Sequence, residues 1–445
     1  MDAGLAVTLV LLLIVVLAAG ATVLILVLKT PKGAEVTQAG PPQAVPPPIN
    51  TAAEQPRTSL PVKDTFVPEA RRELKNRYET PEFVILWETN LANLTAEQTL
   101  ENAKKMGALA ELCWKTYTEH GFAHSPLALK WSGQDRYRKL VYLSGCCLRF
   151  PDYDGVHDYL GRYGDQSYIM ASGEGTLGHE LGHLRQLSSG GFANPLPGIN
   201  TGWAWESSAN YMSILPELKG NLPDGNHLKK WGDDHFLSLE LWDSVNGYPY
   251  SSWPFWLWID KTFGKGMVGR MWSESKRDAI GSCGEAVPEC LARLVKLPLA
   301  DVFGKWVAAT LVFSYFNDPK GEPRYIELAN NFIKTELKST WWSYFDAVEI
   351  RVSRVIGKSA KPLQPFGFHA LKLDSTLKGK RLRLETTVDP PSWRMVVIPM
   401  DVAKQQILTA GETSEPLGPE GGIVGIISTT RSTLPAENAY FITLS

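Results

Sequence analysis

Apolar residues between positions 81 and 216 change their spacing several times, and each change predicts a new element. Continuous apolar runs in PEFVILWE, RKLVYLSG and SYIMASG are typical of buried strands. Between the first two, TAEQTLENAKKMGALAELCWKTYTEHGF has helical spacing and opens with Thr95 and Gln98 in capping-box positions. Strands and helices therefore alternate in this part of the chain.

Further helices are predicted after the third strand. GTLGHELGHLRQ carries leucines at helical spacing, and TGWAWESSANYMSIL is capped near Thr201 and ends at Pro216. Beyond them, WPFWLWIDKTFG and GMVGRMW are separated by Gly264, and ECLARLVKLPLADVFGKWVAATLVFSYF supplies two more helices. The aromatic residues in these segments are typical of core packing.

After residue 360 the pattern becomes that of short strands. FHALKLD, KRLRLETTV, WRMVVIPM, GGIVGIIS and AYFITLS are separated by turn residues, which predicts a small sandwich-like β domain. The alternation in KRLRLE indicates one solvated strand face. We therefore predict an α+β protein with a mixed domain over residues 76–360 and a β-sandwich-like domain over residues 361–445.

The chain opens with an uncharged stretch, LAVTLVLLLIVVLAAGATVLILVL, at residues 5–28. As a helix it would be ~36 Å long, enough to cross a hydrocarbon core of about 30 Å. An Ala-Gly-Ala triplet within it resembles a cleavage site, but the basic start and short apolar core of a signal peptide are missing. We predict a transmembrane anchor in the lipid bilayer over residues 1–30 and a Pro-rich, extended linker over residues 31–75.

Signals for the orientation of this anchor disagree. Lys29 and Lys32 follow the span and no basic residue precedes it, so the positive-inside rule places the main domain in the cytoplasm. Asn93 begins a glycosylation sequon, and a tethered hydrolase is more usually extracytoplasmic. We expect a single-pass membrane protein whose main domain lies outside the cytoplasm, against the charge rule.

Composition narrows the classes of partner. The formal charge of −2 is spread without long basic runs, so we expect no nucleic-acid partner. The five cysteines are few and odd in number, which argues against a disulfide-built scaffold. Cys283 and Cys290 either close a small loop or stay as buried thiols.

The sequence HELGH is the main candidate for chemistry. On a helix, His179 and His183 project from one face one turn apart, the spacing at which two imidazoles bind one tetrahedral Zn²⁺. Glu180 points about 100° away, so it would stand beside the metal, where the general base for a zinc-activated water must lie. Gly178 and Gly182 are poor helix formers and indicate close approach by other backbone or by substrate. The alternative is a chance pattern in an ordinary helix.

A catalytic zinc needs a third protein ligand. The pattern HExxHxxGxxH fails, because Gln186 and Ser189 stand where its Gly and its third His would be. HELGH together with WESSAN on the next helix resembles the gluzincin division of HExxH zinc peptidases, and within it poorly characterised domains with a β-rich C-terminal part. That resemblance implies a zincin-like fold, Glu206 as third ligand, and Asn210, where the family often has Asp, as the support of His179.

The resemblance also implies a function. We expect a membrane-anchored zinc metallopeptidase that hydrolyses peptide bonds of a peptide or protein substrate, with Glu180 as general base. SYIMASG would lie where zincins pair an extended substrate to a sheet edge. An oxyanion donor is also needed, and Tyr211 is disfavoured because it lies about 140° around the helix from Glu206. The candidate donors are Tyr211, His227, His235, Tyr248 and Tyr250.

Two other functions stay open at this stage. The protein could be a membrane-tethered binding or structural component that keeps a zincin fold without turnover. It could also be a glycoprotein-directed peptidase whose β domain binds glycans. The presence of Glu180 argues against a silent enzyme, since the base is the residue that such proteins usually lose.

Overall fold

A computed structural model describes most of the chain from Asn76 onward. The stretch from Ile49 to Ser445 forms one compact unit. The described residues are 76–87, 94–124, 138–143, 159–163, 166–171, 173–192, 201–216, 230–242, 247–275, 285–312, 314, 348–350, 354–356, 363–373, 375–386, 389–399, 404–419, 421–431 and 440–445. The account below concerns these residues.

Several predicted features lie outside the described residues. They are the membrane span at 5–28, the linker at 31–75, the sequon at Asn93 and His227. Within the described part of the chain, no helix has the length and apolar character needed to cross a bilayer. Within that part, Cys290 is a buried thiol, whereas Cys283 lies outside the described residues.

A five-stranded mixed sheet forms the N-terminal layer. Its strands run in the order β1-β2-β3-β5-β4; β2, β3 and β5 are parallel, and the outer strands pair antiparallel. Strands β2 and β3 carry buried apolar runs, as interior parallel strands require. The strands are β1 (Asn76–Glu79), β2 (Phe83–Trp87), β3 (Lys139–Leu143), β4 (Tyr159–Tyr163) and β5 (Gln166–Ala171).

Helices cover this sheet and extend beyond it. The first begins at the predicted capping box, in which Thr95 and Gln98 bond each other's backbone N–H groups. The helices are α1 (Ala96–Glu119), α2 (Glu174–Ser189), α3 (Gly202–Ile214), α4 (Tyr248–Ser251), α5 (Trp253–Phe263), α6 (Met267–Glu274), α7 (Val287–Val295) and α8 (Leu299–Leu311). Helix α2 packs between α1 and α3, and α3 in turn contacts α4 and α5.

The C-terminal strands form two further sheets. One has the order β11-β10-β12-β8-β6 and the other the order β7-β13-β9. Side chains from both sheets share one apolar core, which includes Met395, Val424, Leu384 and Ile442. The strands are β6 (Val348–Ile350), β7 (Arg354–Ile356), β8 (Phe368–Leu373), β9 (Leu382–Thr386), β10 (Trp393–Pro399), β11 (Gln406–Thr409), β12 (Gly422–Ser428) and β13 (Tyr440–Leu444).

Helix α8 joins the helical part to the first of these C-terminal sheets. Gly425 on β12 gives space to Val307 and Leu311, because a Cβ there would lie 2.4 Å from a Val307 methyl. Arg394 on β10 pairs with Asp301 on α8 at 2.7 Å. The main core therefore continues from the helices into the second face of the β10–β12–β8 sheet.

Most of the predicted elements are confirmed. The buried runs become β2, β3 and β5, Gly264 separates α5 from α6 with φ +104°, and in β9 leucines are buried while Arg383 and Glu385 are exposed. Thr201 is the N-cap of α3, but its hydroxyl donates to the Phe192 carbonyl instead of capping the helix. The short strands β1, β4, β6, β7 and β11 were not predicted.

The placement of SYIMASG at a sheet edge is wrong. This segment forms β5, which pairs with β3 on one side and with β4 on the other. An antiparallel strand, Tyr159–Tyr163, lies beyond it, with Tyr163 opposite Gln166 and Tyr159 opposite Met170. The open edge next to α2 therefore belongs to β4.

Candidate metal centre

Helix α2 holds the HELGH residues on a firmly packed support. It starts after β5 and ends at Gly190, whose φ of 69° places it in the left-handed region and whose N–H bonds the Gln186 carbonyl. Leu177, Leu181 and Leu184 form its fully buried side. With that side fixed in the core, the histidines face away from it, toward α3.

Two glycines let α3 approach closely. A Cβ on Gly178 would lie 3.1 Å from the Ser213 Cα, and one on Gly182 would lie 3.2 Å from the Ala209 Cα. On the other flank of α2, the Tyr117 hydroxyl donates to the Gly178 carbonyl at 2.7 Å. Glycine is unfavourable in a helix, but at these two positions the missing Cβ allows the polar face of α3 to lie next to the histidines.

Three side chains converge at the crossing of α2 and α3. The Glu206 Oε2 atom lies 3.2 Å from His179 Nε2 and 3.3 Å from His183 Nε2. Two ligand atoms that each lie about 2.0–2.1 Å from a tetrahedral metal are about 3.3–3.4 Å apart. Both distances from Glu206 Oε2 are close to this separation. The two rings meet edge to face, with centroids 4.6 Å apart.

The tautomers of both histidines follow from two side-chain amides. Asn210 Nδ2 donates to the Tyr250 carbonyl at 2.9 Å, so its Oδ1 must be the atom 2.7 Å from His179 Nδ1. In the same way, Gln186 Nε2 donates to the Trp205 carbonyl, and its Oε1 lies 2.9 Å from His183 Nδ1. An amide oxygen can only accept, so each Nδ1 carries the proton and each Nε2 points at Glu206.

Glu180 belongs to the same cluster. It is buried, and its carboxylate and the two imidazoles bring ligand atoms within 4.8 Å of one another. Residues 179, 180 and 183 therefore form a group that could hold a metal ion. Two carboxylates thus compete for the third ligand position, and we favour Glu206, because one of its oxygens lies near both Nε2 atoms.

The cluster is strongly coupled electrostatically. Burial alone would lower the pKa of His183, but the charge and hydrogen bond of Glu206, together with the charge of Glu180, raise it to about 9. Burial alone would raise the pKa of Glu206, yet the two imidazoles hold it far below its usual range. Without a metal, His183 therefore carries an additional proton, and with it a positive charge, and Glu206 is a carboxylate at neutral pH.

The structure separates the candidate oxyanion donors. Burial, followed by the charge and a hydrogen bond of Glu206, raises the pKa of Tyr250 above its usual value, so its phenol stays protonated. The Tyr250 ring also stacks on His179, with centroids 5.9 Å apart. Tyr250 is the candidate donor that lies at the cluster.

The other described candidates are engaged elsewhere. The Tyr211 hydroxyl donates to Asp260, and the Tyr248 hydroxyl donates to the Leu237 carbonyl at 3.2 Å. His235 Nδ1 bonds the Gly232 carbonyl at 2.6 Å, and its ring packs on Phe368.

Sequence reasoning missed one residue at this centre. In the sequence Gln186 is a mismatch to a longer zinc motif, whereas in the structure it is fully buried and contacts His183. Its position three residues after His183 on the same helix was the available signal, since side chains at that spacing lie next to each other. Glu206 was expected to be buried; 18% of its side chain is exposed.

Comparison with known proteins assigns a family but no activity. Residues 51–284, more than half of the chain, match DUF6055, a family of unknown function, and the chain belongs to this family. The matched region contains the whole metal centre and ends before α7. No curated protein and no solved structure is significantly similar to the chain.

Proposed function

We propose that this protein is a zinc-dependent metallopeptidase of gluzincin type. The observation that carries the proposal is the approach of Glu206 Oε2 to both His179 Nε2 and His183 Nε2 at the separation of two ligands on a tetrahedral metal, with an amide oxygen at each Nδ1. An ordinary helix with two histidines would not need a carboxylate from a second helix between them, nor an amide behind each ring.

His179, His183 and Glu206 would hold the ion. Zinc bound there would polarise the carbonyl of a scissile peptide and lower the pKa of a water molecule. Imidazole and carboxylate ligands suit zinc, although other first-row metals accept the same donors. The choice of zinc therefore rests on the resemblance of the motif and on the tetrahedral spacing.

Glu180 is the general base in this proposal. It lies one residue from a ligand, and its charge is felt by both His183 and Tyr250, so it faces the centre. It would take a proton from water as the water oxygen attacks the carbonyl carbon. It would then return that proton to the leaving nitrogen when the C–N bond breaks.

Tyr250 is the oxyanion donor. Its phenol is protonated at neutral pH and hydrogen-bonds to Glu206, so it can turn a donor toward an oxygen that becomes negative next to the ion. Asn210 fixes the backbone of the short α4 helix through the Tyr250 carbonyl. The donor is thereby tied to the residue that orients His179.

The substrate would be an extended peptide beside β4. This strand is the sheet edge next to β5, and β5 leads directly into α2. An edge strand offers unpaired backbone groups to an incoming strand. In contrast, the β10–β12–β8 sheet packs against α8 on one face and against the second C-terminal sheet on the other, which disfavours a glycan site on its faces.

Metal analysis of the full-length protein tests the ligand assignment. Native protein should carry about one zinc per chain, and His183→Ala and Glu206→Ala should lose it because each removes one of three ligands. Glu180→Gln is the matched control, as it changes the adjacent carboxylate without removing a proposed ligand. Loss of zinc in Glu180→Gln with retention in Glu206→Ala would show that the third ligand was chosen wrongly.

A peptide-library screen tests turnover. Native zinc-loaded protein should cleave peptides, and Glu180→Gln should reduce cleavage by about 10²–10⁴-fold while zinc content and thermal stability stay nearly native. Unchanged cleavage in that variant would remove Glu180 as base. A native protein that binds zinc but cleaves no peptide would favour the tethered binding component.

A further inference from the structure

Gln186 is the buried polar residue on α2 that the catalytic assignment leaves without a role. Its side chain is fully buried, one turn beyond His183 on the same helix. Burying a side-chain amide is costly unless its oxygen and its nitrogen both find partners. The partners of Gln186 therefore show what the burial achieves.

All the side-chain hydrogen bonds described for Gln186 lead to the metal centre or to α3. Its Oε1 accepts from His183 Nδ1 at 2.9 Å. Its Nε2 donates to the Trp205 carbonyl at 3.0 Å and to the Ser208 hydroxyl at 2.8 Å. Trp205 immediately precedes Glu206, so one amide contacts a candidate ligand on α2 and the backbone next to another on α3.

The two ends of the amide have different tasks. The Trp205 carbonyl can only accept, so it holds the NH₂ group toward α3 and leaves the oxygen toward His183. The Ser208 hydroxyl donates to the Ala204 carbonyl at 2.6 Å, which leaves its oxygen free to accept from Gln186. The amide therefore cannot rotate by half a turn without losing its bonds to α3.

We propose that Gln186 is a positioning residue that sets the tautomer and ring orientation of His183 and its alignment with Glu206. This rests on the proposed function, because it assumes that His183 and Glu206 are metal ligands. The partner of a ligating imidazole typically changes metal affinity by 10–100-fold when it is removed. Asn210 does the same for His179, so each histidine is supported by an amide held in place by a carbonyl.

The test uses full-length protein and two metal probes. Competition for Zn²⁺ with a chromophoric chelator measures the metal affinity, and the visible absorption of bound Co²⁺ reports the arrangement of the ligands. Gln186→Met keeps the length of the side chain and removes its hydrogen bonds, so it should lower metal affinity about 10–100-fold and change the Co²⁺ spectrum. Gln186→Glu keeps an acceptor for His183 Nδ1 but loses the bond to the Trp205 carbonyl, so it should restore part of the affinity. Ser208→Ala loosens the amide without touching it and should give a smaller loss.

Ser188→Ala is the matched control. It removes a buried hydrogen bond to the Arg185 carbonyl on the same helix, and the side-chain hydrogen bond described for Ser188 does not involve a proposed ligand. Both Ser188→Ala and Gln186→Met should lower the melting temperature of the metal-free protein. Ser188→Ala, however, should keep the native metal affinity and the native Co²⁺ spectrum. A purely structural Gln186 would make the two variants alike in all readouts.

Three results would overturn the proposal. Native affinity and a native Co²⁺ spectrum in Gln186→Met would show that the amide does not position His183. Equal losses in Gln186→Glu and Gln186→Met would show that the acceptor is not what matters. A native protein that binds neither metal would overturn the metal centre itself, and this inference with it. The titration of the wild-type protein alone distinguishes that outcome from the other two.

Discussion

The metal-free protein should lose stability as the pH rises from about 6.5 to 9. The cause is the His183–Glu206 pair, because Glu206 is the main group that raises the pKa of His183 to about 9 from 6.5. A raised pKa stabilises the fold fully below the unfolded value of 6.5, and that contribution disappears as the pH passes the folded value. Glu206 has a depressed pKa, so the same pair also weakens as the pH falls below about 4.5.

The size of the effect follows from the same values. Each pH unit between 6.5 and about 9 is worth about 1.4 kcal/mol, so the unfolding free energy should fall by up to about 3 kcal/mol across this window. The pair is counted once, since the lowered pKa of Glu206 reports the same interaction. A loss of this size is a large share of the 5–15 kcal/mol that is typical of a folded protein.

Urea unfolding after chelator treatment, followed by tryptophan fluorescence at several pH values, measures this slope. Glu206→Gln is the control, because a neutral amide cannot raise the pKa of His183 and the slope should flatten. Zinc-loaded protein should show the opposite sign, since metal ligands must be deprotonated and binding strengthens with pH. Parallel slopes in native protein and Glu206→Gln would refute the reasoning.

Three further predictions concern packing, domain structure and the membrane. Gly182→Ala puts a methyl group 3.2 Å from the Ala209 Cα, which should push α3 away from α2. The overpacking should cost about 1–3 kcal/mol of stability, partly offset by about 1 kcal/mol from the higher helix propensity of Ala. Zinc titration should then show weaker binding, and native affinity would contradict the close-approach argument. A chain ending at residue 360 should melt without cooperativity by calorimetry, because it exposes the face of α8 that packs on β12; a cooperative transition would show that residues 76–360 fold without residues 361–445. Full-length protein should resist carbonate extraction through residues 5–28, and a mature N-terminus after Ala21 would exclude a retained anchor.

The candidate site was predictable from sequence to the extent that it depends on helical spacing. The four-residue interval from His179 to His183 places both rings on one face, and the same interval from Glu206 to Asn210 does so on α3. Binary patterning also predicted the long helices and the buried strands, because their periods extend over many residues. Short strands such as Tyr159–Tyr163 contain too few residues for an alternation of apolar and polar positions to be recognised.

Tertiary contacts decided what the spacing could not. Five residues had the chemistry of an oxyanion donor, and choosing Tyr250 required knowing that α4 packs on α3. The sheet edge was misassigned because an antiparallel strand with no distinctive pattern covers β5. Gln186 escaped notice because a polar residue on an amphipathic helix is usually solvated, and its burial depends on how closely α3 approaches.

Asn210 shows how a departure from the pattern of the zinc peptidases that the motif resembles can have a structural reason. An Asp at this position, which those peptidases often have, would be the stronger acceptor for His179. Asn210, however, also donates to the Tyr250 carbonyl at 2.9 Å. A carboxylate would place two acceptors against each other and weaken the contact that holds the α4 turn. The amide therefore gives up some acceptor strength toward His179 and in return connects that histidine to the element that carries Tyr250.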